Sequence, residues 1–318
     1  MNEHDWREVA EQEMGVHLGD WRSLSGGDFA QSWQSTVKAV SSNNERAPLA
    51  DKHDCIGAWL TGSKETARPE VGTKLFVKSH QNPPPRHFTT EAMGLAWLAD
   101  SAAVRVPTVL GVSDETPYLA LQWVEEGGAS SMAEEQFGHE LAELHRSPCE
   151  RFGRDDERTT GSLGLPNKPT DVWAQFYASE RLMPLVKIAY DRQALNKDLC
   201  RDIETLAQQL DNWVPADERP SRLHGDLWAG NRLIDTAGQS WLIDPASHGG
   251  HREFDLAMMR LFGGFSEACH SAYANSYPLS AGWQERVALH QLAPLIVHAI
   301  KFGHSYVEPT RRALAQYV

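Results

Sequence analysis

The sequence predicts an α+β protein with a small β-rich N-terminal lobe and a larger, mainly helical C-terminal lobe. Three observations favour this fold class. The chain has 318 residues, more than one typical domain of about 100–200 residues. Strand patterns fill the first third, with one helix pattern among them. Helix patterns dominate afterwards, and the change of character near 125–130 predicts a division into residues 1–125 and 126–318.

The first elements of the N-terminal lobe alternate between regular and irregular patterns. Residues 4–15 have the pattern of a short amphipathic helix. The stretch SLSGGDFAQSWQSTVKAV indicates a strand, a glycine turn at Gly26–Gly27 and a second strand. Residues 41–70 are polar and dotted with proline and glycine. We therefore expect an insertion or an irregular excursion there, which could cover the site or, more simply, form a surface loop.

The rest of this lobe is predicted to hold three strands and one helix. KLFVKSH at 74–80 alternates as a strand does, and VPTVLGV and PYLALQWV predict two more strands. Between them, residues 89–103 have a helix pattern, with Thr90 as the expected N-cap.

The C-terminal lobe is predicted from three helix patterns and one loop-rich segment. FGHELAELHRS, VWAQFYASERLMPLVKIAY and a polar segment over roughly 194–213 indicate helices. The motif RLHGDLWAGNRL at 222–233 follows, and SWLIDPAS then indicates a strand pair. From about residue 253 the chain again has helix patterns.

Charge and cysteine content restrict the partners and the compartment. The net charge is −13, the pI is about 5.5, and no run of Lys or Arg occurs. Nucleic acid and an anionic membrane surface are therefore not expected partners. The four cysteines form no C-x-x-C pair, and the polar, acidic N-terminus does not resemble a signal peptide. These features favour the cytoplasm.

The residues most suited to chemistry are Asp226 and Asn231 in the 222–233 motif and Asp244 after it. Carboxylate and amide oxygens from two adjacent loops are ligands that Mg²⁺ prefers. D-x-x-x-x-N followed by an aspartate on the next hairpin is the phosphoryl-transfer pattern of kinases. The twin histidines of HGGH at 248–251 have no accompanying zinc motif, so we do not expect zinc there.

Upstream residues occur in the order that kinase chemistry also requires. Gly26 and Gly27 stand at the position of a phosphate-binding turn, Lys78 lies on a strand and Glu91 on the next helix. Each signal alone is weak, because a glycine pair usually makes a turn and Lys78 or Glu91 could simply face solvent. Asp226 alone could equally cap a loop. Their common order along one chain favours the kinase interpretation.

Several stretches together resemble the fructosamine kinase (ketosamine-3-kinase) family, in the aminoglycoside phosphotransferase and protein-kinase-like superfamily. The motif HGDLWAGN resembles the signature of that family, and its tryptophan distinguishes it from related kinases. Similar stretches are GLAWLADSAAVRVPTVLGV, LAELHRS, DVWAQFYASERLMP, IDPASHGGHREFDLAM and LFGGF. The resemblance spans roughly residues 72–305 and implies a two-lobed protein-kinase-like fold.

This resemblance also implies roles for residues around the motif. Asp226 would accept the proton of the substrate hydroxyl, and Asn231 and Asp244 would hold Mg²⁺ on the ATP phosphates. Lys78 would bind the α- and β-phosphates and pair with Glu91.

Further roles implied by the resemblance concern adenine, loop order and the acceptor. The backbone of Gln122, Trp123 and Val124 would meet adenine. His224 would order the loop, and Asp255 would support it by bonding its backbone.

Two departures and one histidine remain. The glycine turn has the sequence SGGDFAQ, which is poorer in glycine than is usual in the family. The sequence therefore does not determine whether this turn binds phosphate. Trp228 replaces the lysine of typical protein kinases two residues after the base. It could form a wall of the sugar site or fill the core under the loop. His298 resembles a substrate-side histidine of the family, although a helical histidine is more often a packing residue.

The implied function is ATP-dependent phosphorylation of a ketosamine, free or protein-bound, on its 3-hydroxyl, leading to deglycation. Two alternatives are open at this point: a kinase of an aminoglycoside or amino alcohol, and a nucleotide-binding pseudokinase. The intact Lys78, Asp226, Asn231 and Asp244 argue against the pseudokinase. The sequence does not determine which sugar or amine is used, or the oligomeric state.

Overall fold

The structure is a computed structural model that describes residues 3–25, 30–41, 69–156, 159–215 and 217–318. Gly26 and Gly27 lie outside the described residues, as does most of the predicted excursion at 41–70. The chain forms two compact units. The first comprises Met1–Trp97, Val106–Glu126 and Thr160–Leu163, and the second comprises Leu98–Arg105, Gly127–Thr159 and Gly164–Val318.

The first unit is built on an antiparallel sheet of five strands in the order β1-β2-β3-β5-β4. The strands are β1 Val16–Leu24, β2 Gln31–Val40, β3 Lys74–Ser79, β4 Val109–Ser113 and β5 Tyr118–Gln122. Helix α1 spans Glu3–Met14 and helix α2 spans His87–Ala99. Every strand and both helices predicted for this part of the chain are present.

Each helix of this unit covers its own hydrophobic cluster. Trp6 and Ala10 of α1 are buried with Trp33 and Val37 of β2. Phe88 and Leu95 of α2 are buried in a second cluster with residues of β4 and β5. Alternate side chains of a strand point to opposite faces, so a sheet can bury both of its faces when each has a helix.

The start predicted for α2 is wrong. The helix begins at His87, and the Thr90 amide already donates to the Arg86 carbonyl at 2.9 Å. The open amide of Phe88 is instead satisfied by the Asp114 carboxylate at 3.0 Å. A distant aspartate thus supplies the acceptor that an N-cap side chain would provide, and local sequence does not reveal it. The helix also ends at Ala99, before the predicted residue 103.

The second unit is mainly helical. Its α-helices are α3 Ser131–Arg146, α4 Trp173–Phe176, α5 Met183–Asp191, α6 Lys197–Ala207, α7 Glu253–Phe262, α8 Glu267–Ser276, α9 Trp283–Phe302 and α10 Val307–Leu314. A π-helical segment, Tyr177–Leu182, joins α4 to α5. The helix predicted over 194–213 is shorter in the structure because Asn196 caps it, accepting from the Leu199 amide at 2.9 Å.

Four short strands frame the loop-rich segment of this unit. β6 Ser221–Leu223 pairs with β9 His248–Gly250, and β7 Arg232–Ile234 pairs with β8 Ser240–Leu242. The HGDLWAGN motif connects β6 to β7, and Asp244 lies two residues after the end of β8. The two antiparallel pairs therefore bring the motif and the segment after β8 together.

Helix α9 contains Pro294, which has no amide hydrogen to donate to the preceding turn. The carbonyl left without this donor is that of His290, and the buried Tyr177 hydroxyl lies 3.5 Å from it. The same hydroxyl donates to the Leu289 carbonyl at 2.8 Å and accepts from the Ala293 amide at 3.2 Å. α9 therefore continues unbroken to Phe302, and its last turn carries His298 and Lys301.

Candidate active site

The turn after β6 requires glycine. Gly225 has φ of +81°, and a Cβ atom on it would lie 2.1 Å from the Ala246 carbonyl oxygen. The Ala246 amide donates to the His224 carbonyl at 3.0 Å. The motif and the segment after β8 therefore pack backbone to backbone, which only the absence of a side chain permits.

Asp255, in the first turn of α7, holds the start of the motif. Its carboxylate is fully buried and accepts from the amides of His224 at 2.7 Å and Gly225 at 2.9 Å. Burial alone would raise the pKa of Asp255, but the hydrogen bond and charge of His145 at 3.4 Å and these contacts lower it. A charged acceptor thus fixes two consecutive amides of the loop.

His224 joins the two segments from the other side. Its Nε2 lies 2.9 Å from the Ile243 carbonyl oxygen, and its Nδ1 accepts from the Asp226 amide at 3.2 Å. Burial lowers the pKa of His224, so the ring is neutral, with the proton on Nε2. In this tautomer neither ring nitrogen is available as a base towards a substrate.

Asp226 and Asn231 are in direct contact. The Asn231 side-chain amide donates to the Asp226 carbonyl at 2.8 Å and to its Oδ2 at 3.1 Å. Burial and the nearby charge of Asp244 raise the pKa of Asp226 to about 7, against the lowering effects of Asn231 and Lys301. A carboxyl group with such a pKa can accept a proton near neutral pH.

Asp244 is exposed and has φ of +52°. A non-glycine residue in this left-handed region is uncommon and occurs often at functional sites. Because its charge acts on Asp226, the two carboxylates share one site. The Nδ2 atom of Asn231 faces Asp226, so its Oδ1 atom is the one suited to bind a metal ion. Together with the Asp244 carboxylate, this oxygen fits a hard cation such as Mg²⁺.

Trp228 lies on the surface of the second unit, so the core interpretation of this residue is wrong. Its side chain is 40% exposed. The ring sits over Gly230, where an added Cβ would be 2.2 Å from a ring atom, and its edge faces Phe262 at a centroid distance of 6.3 Å. The motif therefore presents an indole two residues from Asp226.

His298, on the last turns of α9, belongs to the same group of rings. Its ring centroid lies 4.7 Å from that of Phe262, and its Nδ1 is 2.8 Å from the Pro294 carbonyl oxygen. Phe262 thus connects His298 to Trp228, although their positions in the sequence differ by 70 residues.

In the first unit, Lys78 and Glu91 form a buried ion pair with Nζ and Oε1 2.5 Å apart. Lys78 lies on β3 and Glu91 on α2, the element types expected from the sequence. Buried charges require such pairing because isolated ions are costly to desolvate.

The segment 122–124 follows β5 in the same unit. The Trp123 amide donates to the Lys74 carbonyl at 3.3 Å, and the Trp123 indole donates to Glu125 at 3.0 Å. The Gln122 side chain accepts from the Thr108 hydroxyl at 3.1 Å.

Sequence reasoning missed a buried polar cluster of His251, Glu253 and His290. Arg286 donates to both Glu253 oxygens at 2.6 and 2.8 Å, and His290 Nε2 lies 3.4 Å from Glu253. Their ligand atoms are close enough for a cation, but the guanidinium already neutralises the one carboxylate. The histidines of the HGGH stretch hinted at the cluster, whereas nothing local marked Glu253 or His290 as their partners.

No helix among the described residues has both the length and the apolar character needed to cross a membrane.

The fold is that of protein-kinase-like phosphotransferases. An ADP-bound aminoglycoside phosphotransferase structure is similar over 98% of this chain and 97% of its own, with a TM-score of 0.60 at 15% identity. That similarity establishes the fold alone. The predicted α+β, protein-kinase-like fold class is confirmed.

The chain belongs to the fructosamine kinase family, whose sequence model matches residues 32–318. A probable ketoamine kinase of Synechocystis is 35% identical over 246 residues, covering 76% of this chain and 82% of its own. The chloroplastic protein-ribulosamine 3-kinase of Arabidopsis thaliana is 30% identical over 300 residues, covering 86% and 90%. A crystal structure of a provisionally named fructosamine-3-kinase from Thermobifida fusca is 33% identical to this chain, with a TM-score of 0.81. The match covers 99% of this chain and 100% of that one. The family resemblance inferred from the motifs is thereby confirmed.

Proposed function

We propose that this protein transfers the γ-phosphoryl group of ATP to the 3-hydroxyl of a ketosamine. The observation that carries the proposal is the contact of Asp226 with Asn231 on a loop braced by Asp255, in a chain of the fructosamine kinase family. Two of the relatives are named ketoamine kinase and protein-ribulosamine 3-kinase.

The chemical step is a single displacement. The acceptor 3-hydroxyl oxygen attacks the γ-phosphorus, the bond from that phosphorus to the β–γ bridging oxygen breaks, and ADP leaves. Asp226 takes the hydroxyl proton, for which its raised pKa is suited. The protein contributes positioning and charge neutralisation and forms no covalent intermediate.

Asn231 and Asp244 would hold Mg²⁺ at this site. The supporting observation is that both residues offer oxygen ligands from adjacent loops, because the side-chain nitrogen of Asn231 faces Asp226. When bound, the ion neutralises charge on the phosphate oxygens.

For the nucleotide, Lys78 would bind the α- and β-phosphates while Glu91 holds its ammonium in place. The backbone of 122–124 would meet adenine. Since the Trp123 amide is used within the sheet, the Val124 amide and the adjoining carbonyls are the better candidates. Whether Gly26 and Gly27 grip phosphate stays a prediction.

On the acceptor side, Trp228 and His298 would form a wall of the sugar site, and the exposure of Trp228 beside Asp226 supports this. A 3-phosphate next to the C2 carbonyl of the sugar is a leaving group, so the product can eliminate phosphate and release the amine. The biological role would be deglycation. The free thiols of Cys149, Cys200 and Cys269 and the need for ATP agree with a cytoplasmic reaction.

A panel of acceptors tests this function. The purified protein with Mg²⁺ and ATP is incubated with fructosamines, ribulosamines, an aminoglycoside and an amino alcohol, and ADP release and the phosphorylated product are measured. We expect turnover of the ketosamines, with phosphate on carbon 3. Turnover of the aminoglycoside alone would refute the proposal, and ATP binding without transfer to any acceptor would indicate a pseudokinase.

A further inference from the structure

A continuous group of rings extends from the motif to the C-terminal end of α9. We call it the aromatic surface, and its members are Trp228, Phe262, His298, Phe302 and Tyr306. The His298 ring lies at its centre, with centroid distances of 5.3 Å to Phe302 and 4.9 Å to Tyr306. Every member lies in the second unit, as Asp226 does.

The two ends of the aromatic surface are open to solvent. Trp228 is 40% exposed and Phe302 is 48% exposed, while the rings between them are partly buried. Large exposed rings that form one continuous patch are a feature of binding surfaces. Trp228, at one end of the patch, belongs to the same motif as Asp226, so an acceptor bound at the motif is expected to contact that end.

Lys301 places a positive charge beside this surface. Its ammonium nitrogen lies 5.4 Å from the Phe302 ring centroid, and the side chain is exposed. The surface therefore combines aromatic faces with a positive charge, in the unit that carries Asp226.

These aromatic faces and this positive charge match the chemical groups of one class of ketosamine. The ketosamine of a free α-amino acid carries sugar hydroxyls, then a secondary ammonium, then an apolar side chain and a carboxylate. An ammonium is attracted to the face of an indole, an apolar side chain is favoured on exposed rings, and a carboxylate pairs with Lys301. A glycated lysine side chain in a protein has no carboxylate near its modified nitrogen.

We propose that Phe302 and Tyr306 of the aromatic surface, together with Lys301, bind the amine part of the acceptor, and that the favoured acceptor is the ketosamine of a free α-amino acid with an aromatic or apolar side chain. This inference rests on the proposed function and identifies its substrate class. Phe302 acts on acceptor affinity rather than on the chemical step. For Lys301, comparing two acceptors in the same variant separates its effect on the acceptor carboxylate from the influence of its charge on Asp226.

The first experiment compares N-fructosyl-phenylalanine with N-fructosyl-phenylalaninamide, which lacks only the carboxylate charge. We expect kcat/KM of the wild-type protein to favour the acid by roughly two- to fivefold, the range of an exposed ion pair, and less at high salt. Lys301→Met should remove the preference and Lys301→Arg should keep it. Lys197→Met removes an equal charge from helix α6 and should leave the preference unchanged.

A second experiment tests the rings. Phe302→Ala should raise the KM for N-fructosyl-phenylalanine about three- to tenfold, with kcat retained and the KM for N-fructosyl-glycine nearly unchanged. Phe302→Leu should restore part of the lost affinity because it returns apolar surface. A merely structural role would lower kcat and affect both acceptors equally.

The ketosamine of ethylamine, which has neither carboxylate nor ring, separates the two levels of inference. If it is phosphorylated while the wild-type protein does not distinguish the acid from the amide, the subsite assignment is wrong and the proposed function stands. A higher kcat/KM for a glycated protein than for N-fructosyl-phenylalanine would also overturn the assignment. If no ketosamine is phosphorylated, both fail.

Discussion

Replacing Asp255 by asparagine tests whether one buried carboxylate positions the loop that carries Asp226. Asp255 Oδ2 accepts from the His224 amide at 2.7 Å, and Oδ1 accepts from the Gly225 amide at 2.9 Å. Asparagine retains one acceptor oxygen, so in either rotamer its NH₂ group faces one of these amides. The side chain keeps its size, and the substitution changes only the charge and one acceptor.

The magnitude follows from those contacts. One buried amide loses its acceptor, which costs about 1–3 kcal/mol, and the remaining bond loses its charge assistance. We expect the free energy of unfolding to fall by roughly 2–4 kcal/mol. Because Asp226 lies one residue beyond Gly225, a displacement of the loop by about 1 Å should lower kcat on the order of 100-fold.

The assay combines steady-state kinetics, ATP titration and urea unfolding of the purified variant. ATP affinity should remain close to that of the wild type, since Asp255 does not belong to the nucleotide set. Asp235→Asn is the matched control, because Asp235 also accepts from two backbone amides, those of Ala237 and Gln239, but in an exposed turn. It should leave kcat unchanged. A folded Asp255→Asn variant with wild-type kcat would refute the positioning role.

Three further predictions concern the base, the indole and pH. Asp226→Asn should abolish transfer while ATP still binds, and a variant with wild-type turnover would exclude Asp226 as the base. Trp228→Ala should raise the acceptor KM more than the ATP KM; equal changes in both would argue against a wall of the sugar site. Burial alone would raise the pKa of Glu253, but its hydrogen bonds with His290 and Arg286 lower it to about 2, below its ordinary value of 4.5. Burial is the main cause that lowers the pKa of His251 well below 6.5. Unfolding therefore binds protons at both groups, so the free energy of unfolding should fall as pH drops from 6.5 towards 2, by at most about 1.4 kcal/mol per pH unit and group. Urea unfolding at several pH values measures this dependence. The Glu253→Gln variant should lack the part of the pH dependence that the wild type shows below pH 4.5.

Local patterns in the chain were sufficient to predict most of the elements. Strand alternation and helical periodicity depend on side chains close in sequence, so β3, α2 and the helices after residue 130 could be predicted from them. The start of α2 could not, because its open amide is satisfied by Asp114, 26 residues from Phe88. The shorter α6 has a local cause instead, because Asn196, which caps its start, lies within the predicted segment.

The candidate site divides in the same way. The sequence by itself determined the family, and it predicted the candidate site residues, since Asp226, Asn231 and Trp228 lie within one short motif whose spacing is a local property. Only the tertiary structure decided which distant groups meet that motif. Packing of α7 on the loop directs Asp255 to its amides, and packing of α9 sets His298 against Phe262. It also decided that Trp228 faces solvent, because exposure depends on every segment that could have covered the ring.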